Sequence, residues 1–183
     1  VRHTPDTPEG AAPAAPAAAP TTAALDHSAY RKALGCFGTG VTVVTARHQG
    51  QDVGMTCNSF SSVSLNPRLV LWSIRKEASS FAAFSQAGGF TISVLAQDQA
   101  ALAMQFASGN MADRFAGVLA TRQTSQRLRL DGAVAWFDCD LHQLIEAGDH
   151  VIVLGAVRDF GGQSGPALAF SHSQFGQFEP LQA

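Results

Sequence analysis

One stretch of the chain gathers hydrogen-bonding side chains far more densely than its neighbours. In Gly54-Met55-Thr56-Cys57-Asn58-Ser59-Phe60-Ser61-Ser62-Val63-Ser64-Leu65-Asn66-Pro67, five hydroxyls and an amide fall within the first eleven residues. A buried loop must satisfy its backbone groups, so this density needs a reason. One reading is a self-capping turn built by the Ser and Asn side chains. The other is a bed of neutral donors and acceptors for a ligand bearing several oxygens, such as a sugar-alcohol chain or an aromatic dione ring. Two further clusters could cooperate with it. Arg75-Lys76-Glu77-Ala78-Ser79-Ser80 follows an apolar strand pattern and opens a helix, so two cations, two hydroxyls and free helix N–H groups converge as a phosphate seat requires. Ordinary capping with a solvated charge pair is the alternative. Gly148-Asp149-His150 precedes an apolar strand: glycine tightens the turn, and the aspartate could orient or charge the imidazole near neutral pH. A plain hairpin turn would carry the same three residues.

Other chemistries are poorly supported. Gly35-Cys36-Phe37-Gly38-Thr39-Gly40-Val41-Thr42 superficially resembles a phosphate loop, but Val41 stands where a Walker A loop needs lysine. A dinucleotide fingerprint needs different spacing, after a strand and before a helix. What remains is a helix-to-strand turn needing positive φ. The six histidines (His3, His27, His48, His142, His150, His172) include no pair three to five residues apart, so no metal site is expected. Alternation along a strand places Asp138, Asp140 and His142 on one face, read as solvated. No G-x-S-x-G elbow supports a serine hydrolase.

These groups need a scaffold, and 183 residues suit one compact domain. The first 24 residues hold five of the eight prolines and nine alanines, and are read as a disordered Ala/Pro extension. Twelve Lys+Arg against fourteen Asp+Glu argue against a strong electrostatic grip on nucleic acid or anionic membrane. No apolar run approaches the roughly 18–20 residues of a membrane span. Three scattered cysteines fit a reducing, cytoplasmic compartment. Tyr30, Leu34 and Phe37 follow amphipathic helical spacing, with Asp26 or Ser28 as N-cap. Val41–Ala46 is rich in β-branched residues and pairs through a polar turn with Val53–Thr56. Further strands are expected at Leu69–Ile74, Phe90–Leu95, Ala133–Leu141, Val151–Val157 and Ala167–Phe170. One helix carries Phe81 and Phe84 and stops at Gly88-Gly89; another, capped by Asp98, carries Leu102 and Phe106. The pattern reads as one domain over residues 25–180, mainly β and antiparallel, a barrel with peripheral helices.

In this order, YRKALGCFGTGVTVVTA, GMTCNSFSSVSLNPRLVLWSI, SSFAAFSQAGGFTISVLAQDQ, AGDHVIVLGAV and PALAFSHSQFGQF resemble the flavin reductase-like family, the short-chain reductase components of two-component flavin monooxygenases. The resemblance covers about residues 27–178 and rests chiefly on the long GMT-x-N-S-F-x-S-V-S-L-x-P string. It implies an FMN-binding split β-barrel, a homodimer with flavin near the subunit interface, and reduction of FMN or FAD by NADH or NADPH. The reduced flavin would pass to a separate monooxygenase. It also implies that Met55, Thr56, Cys57, Asn58 and Ser59 line the isoalloxazine and ribityl chain, with Ser61, Ser62 and Ser64 beside or beneath. Arg75, Lys76, Ser79 and Ser80 match the phosphate-binding stretch, and Phe106, Ser108 and Arg114 a cofactor-edge segment. His150, with Asp149 and Phe175, would face the nicotinamide. Hydride transfer needs stacking, distance and charge placement more than covalent help from protein, so His150 would position the donor. Cys57 departs from the family pattern and would place a thiol near the ring. Arg68, Phe170 and Ser173 also depart, the last two on the nicotinamide side. A flavin-binding redox sensor or carrier without reductase turnover is the rival reading; another split-barrel oxidase or a haem-binding relative is a second.

Overall fold

A computed structural model describes residues 26–179. The Ala/Pro extension assigned to residues 1–24 lies outside the described residues. The chain runs α1 (His27–Gly35), β1 (Thr39–Gly40), β2 (Thr42–His48), β3 (Gln51–Cys57), β4 (Ser61–Leu65), β5 (Arg68–Arg75), α2 (Phe81–Gln86), β6 (Gly89–Val94), α3 (Ala100–Ser108), β7 (Ala120–Arg122), β8 (Leu128–Leu130), β9 (Ala135–Ala147), β10 (His150–Gly162), β11 (Leu168–Ser171) and β12 (Gln174–Gln177).

Seven strands pair antiparallel in the order β3-β2-β6-β9-β10-β5-β4. Its edges, β3 and β4, do not pair with each other, so the sheet stays open as a split barrel. A second sheet carries β1-β11-β12, and β7-β8 form a separate ribbon. The β-branched run makes β2, which pairs with β3 from Thr42↔Cys57 to His48↔Gln51 around the two-residue Gln49-Gly50 turn. At the β9–β10 hairpin, Ala147 faces His150 and only Gly148 of the two turn residues takes positive φ (66°). A II′ turn needs glycine's freedom at that first position. The turn therefore sets His150 at the first position of β10, opposite Arg75 of β5.

Inside the barrel, Trp72 meets Phe84 of α2 and Phe90 of β6 edge-on, with ring centroids 5.0 and 5.6 Å apart. A second cluster packs Phe106 of α3 against Val41, Val43, Leu95, Leu130 and Leu168. The cores therefore clamp α2 and α3 on either side of the segment following β3.

Several sequence expectations need correction. The Ser-rich segment after β3 is not a buried loop: it pairs with β5 as the edge strand β4, with a register shift between Ser62 and Ser64. None of Gly35, Gly38 and Gly40 takes positive φ. Asp98 does not cap α3; Gln99 holds that position, and its Oε1 accepts from the Ala96 N–H at 2.9 Å. The polar face of β9 is not wholly solvated, because Arg127 covers Asp138 with an ion pair of 2.8 Å between side chains 10% and 8% exposed. The expected N-cap does form, with Asp26 Oδ1 accepting from the Ser28 N–H at 2.8 Å. Yet α1 buries no residue, and Tyr30, Leu34 and Phe37 remain 58%, 56% and 79% exposed.

Candidate active site

A cavity of about 440 Å³ opens between the end of β3, the approach to α2, α3 and the β11–β12 hairpin. That size lies within the roughly 300–1,000 Å³ of small-molecule sites. Val41, Met55, Met104 and Phe106 line it with apolar surface. Phe170 and Phe175 add a tilted aromatic pair, centroids 5.5 Å apart. Its polar groups come from Thr56, Asn58, Ser79, Ser80 and Arg114. The fold thus brings together Met55, Thr56, Asn58, Ser79, Ser80, Phe106, Arg114 and Phe175 from separate stretches of sequence.

Each polar group is held differently. Thr56 Oγ1 donates to the Ala103 carbonyl at 2.5 Å, tying β3 to α3 and leaving its lone pairs to a ligand. Ser80 is buried, its Oγ 3.8 Å from Met55 Sδ. Asn58 and Ser79 are exposed and make no side-chain hydrogen bond among the described residues. Arg114 is pinned by two backbone carbonyls: Nε donates to Gly109 at 3.1 Å and Nη1 to Gly54 at 2.7 Å. Gln105 Nε2 fixes the same loop by donating to the carbonyls of Arg114 and Ala116 at 2.9 and 3.0 Å. Burial lowers the Arg114 pKa, but a guanidinium remains charged at neutral pH. It pairs with no carboxylate among the described residues, so it is a fixed cation suited to a phosphate or to negative charge developing on a bound ring.

The remaining expected ligands lie elsewhere. Cys57 is 6% exposed and packs into the barrel core, which removes the thiol expected beside the ring. Strand alternation explains this, since consecutive residues of β3 point to opposite faces. Ser59 Oγ accepts from the Ser73 N–H at 2.9 Å and braces the chain leaving β3. Ser61, Ser62 and Ser64 sit along β4 and do not line the cavity. Ser108 Oγ donates back to the Met104 carbonyl at 3.0 Å within α3. The expected phosphate seat is split: Ser79 and Ser80 reach the cavity, whereas Lys76 pairs with Glu146 and Arg75 lies across the β5–β10 ladder from His150.

His150 and Asp149 line a separate cavity of about 790 Å³ together with Tyr30, Leu34 and Arg75. His150 Nδ1 lies 2.8 Å from Asp149 Oδ1. The hydrogen bond from His150 holds the Asp149 carboxyl below its ordinary pKa. The carboxylate therefore orients the ring through Nδ1, and Nε2 makes no hydrogen bond among the described residues. Within one chain, His150 does not share the cavity of Thr56 and Asn58.

Sequence reasoning missed Val41, Ala78 and Met104 as lining residues. Met104 carried a signal. It lies on α3 three residues before Ala107, making an apolar stripe that the inward Leu102–Phe106 face leaves over.

The chain belongs to the flavin reductase like domain family, whose model matches residues 34–179. It is 39% identical over 160 residues to a flavin reductase of Pseudomonas putida, covering 86% of this chain and 94% of that protein. It is 44% identical over 154 residues to the reductase component of a flavin-dependent trigonelline monooxygenase of Acinetobacter baylyi. That match covers 84% of this chain but 49% of the relative, so the chain spans about half that relative's length. Among solved structures, the Streptomyces globisporus NADH:FAD oxidoreductase in complex with NAD and FAD fragments matches with a TM-score of 0.81 and 38% identity. That alignment covers 85% of this chain and 94% of that one.

Proposed function

We propose that this chain is a flavin reductase that moves a hydride from NADH or NADPH to FMN or FAD and releases reduced flavin to a separate monooxygenase. The observation that carries the reading is the 440 Å³ cavity, where apolar lining, neutral polar groups and one carbonyl-pinned guanidinium meet. A tricyclic ring system with a polar chain fits that donor set: Met55, Phe106, Phe170 and Phe175 would hold the ring, and Asn58, Thr56, Ser79 and Ser80 its polar edge and chain. A flavin bound there would supply the two-electron chemistry, as acceptor of the hydride that the pyridine nucleotide gives up. Arg114 offsets negative charge without having to reorganise, because its carbonyl contacts are already made. His150, aligned by Asp149, orients the donor. Relatives named as flavin reductases and reductase components of monooxygenases support the same reading.

The functional unit is a homodimer. Tyr30 and Leu34 of α1, with Phe37 just past its end, expose an apolar face that no part of the same chain covers among the described residues, and a second subunit supplies the cover. Pairing would also bring the His150 cavity, which α1 lines, into the interface. Leu34→Glu/Phe37→Glu is expected to shift the protein to monomers in sedimentation velocity; an unchanged dimer would remove this face from the interface. The domain spans about residues 25–180. No helix among the described residues is long and apolar enough to cross a membrane, and we place the protein in the cytoplasm.

The test is NAD(P)H consumption by purified protein across the four pairings of FMN or FAD with NADH or NADPH. Turnover no faster than the protein-free mixture rejects the proposal, and flavin uptake without turnover identifies a carrier. His150→Ala is expected to lower kcat/KM for the nucleotide about ten- to a hundredfold while the flavin Kd stays unchanged. Wild-type kinetics in that variant would remove His150 from the mechanism.

A further inference from the structure

Among the described residues, three cations without an ion-pair partner gather beside α1. A cavity of about 640 Å³ lies between α1, the end of β5 and the β11–β12 turn, and is lined by His27, Arg31, Lys32, Arg75 and His172. Among the described residues, Arg31, Lys32 and Arg75 form no ion pair. The one carboxylate in the lining, Asp149, is engaged by His150. Most other arginines are occupied by Asp52, Asp138, Asp140, backbone carbonyls or aromatic rings. A chain of net charge -2 has carboxylates to spare, so a cavity where Arg31, Lys32 and Arg75 meet a single carboxylate already bound to His150 is suited to an anion from outside.

The backbone points to the same place. His172 and Ser173 form the β11–β12 turn with φ of 51° and 62°, a left-handed pair that such turns ordinarily reserve for Asn and Gly. The turn is locked to the end of α1: the His172 N–H donates to the Gly35 carbonyl at 2.8 Å, and Ser171 Oγ donates to the same oxygen at 3.3 Å. An unfavourable conformation, held by outside contacts, places an imidazole at the edge of the cationic cavity. Arg75 and Asp149 line both this cavity and its neighbour holding His150, so the two share a wall.

We propose that the Arg31–Arg75–His172 cavity binds the diphosphate of the pyridine-dinucleotide donor. This rests on the reading that His150 receives the nicotinamide, which is joined to that diphosphate through a single ribose. Guanidinium groups suit the role because their paired N–H donors match phosphate oxygens. A flavin's own phosphate has the same chemistry, and the test separates the two sources.

ADP-ribose retains the diphosphate and lacks the nicotinamide. Calorimetric titration into the wild-type protein, with FMN present, is expected to show binding that weakens at least about tenfold in Arg31→Gln and further in Arg31→Gln/Arg75→Gln. Arg31 is exposed and Gln is a good helix former, so the variant keeps its fold, checked by an unchanged melting temperature. The KM for NADH should rise in parallel while the FMN Kd holds. No ADP-ribose binding to wild type, or equal binding to the variants, overturns the proposal. A raised FMN Kd with unaltered ADP-ribose binding also overturns it, assigning the cavity to the flavin phosphate. Absence of NAD(P)H turnover in the wild type would strike the reductase reading instead, and the titration would still decide what the cavity binds.

Discussion

Gly54→Val is expected to weaken flavin binding at least about tenfold and to destabilise the fold by about 1–3 kcal/mol. A Cβ at position 54 would fall 2.5 and 2.8 Å from Phe106 Cε1 and Cδ1, and 3.1 Å from Phe115 Cζ. Phe106, the nearer ring, has no room to retreat: it is fully buried, and Phe115 stands edge-on to it at 5.0 Å. The Gly54 carbonyl also anchors Arg114, so displacement of β3 moves the fixed cation together with the aromatic lining. Flavin fluorescence quenching and thermal unfolding measure the two effects. Gly54→Val/Phe106→Leu, which trims the obstructing ring, should recover part of the lost stability. Strictly additive losses in the double variant would show that the two positions are not coupled as their contact requires.

Asp138→Ala should have the largest effect on stability, about 3–5 kcal/mol, because it strands a buried cation. Arg127 Nε reaches Asp138 Oδ1 at 2.8 Å, and Thr91 Oγ1 donates to the same oxygen at 2.9 Å. Asp140, the remaining carboxylate near Arg127, lies 3.4 Å from it and is shared with Arg158 at 2.6 Å. Asp140 compensates poorly for Asp138, since it is 41% exposed, reaches Arg127 only at the longer distance and already binds Arg158 through its other oxygen. A melting temperature lower by roughly 10 °C is expected for a domain of this size. Arg127→Met/Asp138→Leu should recover most of the loss, since removing both charges leaves no orphan. A loss below about 1 kcal/mol in Asp138→Ala would mean that the pair is solvated despite its burial.

The parts of this molecule that follow from local sequence were legible, and those that follow from register were not. Five β-branched residues between Val41 and Thr45, followed by a polar turn, specify the first hairpin without outside help. The Ser-rich run looked like a ligand bed throughout, yet only its first part reaches the cavity. Alternation sends Cys57 into the core, and the later serines are drawn into an edge strand by β5. Arg75 and Ser79 are four residues apart, but Arg75 still belongs to the β5–β10 ladder and is carried to the other cavity. Asp138 and Asp140 read as solvated because nothing nearby in the chain announces that Arg127 folds over them. The α1 pattern marked an apolar face correctly but could not say whether its cover lay in the same chain. The cationic cavity was hidden for a similar reason, since α1, β5 and the last hairpin meet only in the folded chain.

A crystal structure of the protein soaked with FMN tests the central claim most directly. The isoalloxazine should lie against Met55, Phe106, Phe170 and Phe175, with Asn58 and Thr56 at its polar edge and Arg114 nearby. Flavin seated instead among Arg31, Arg75 and His172, or on neither cavity, would contradict the assignment of the active site.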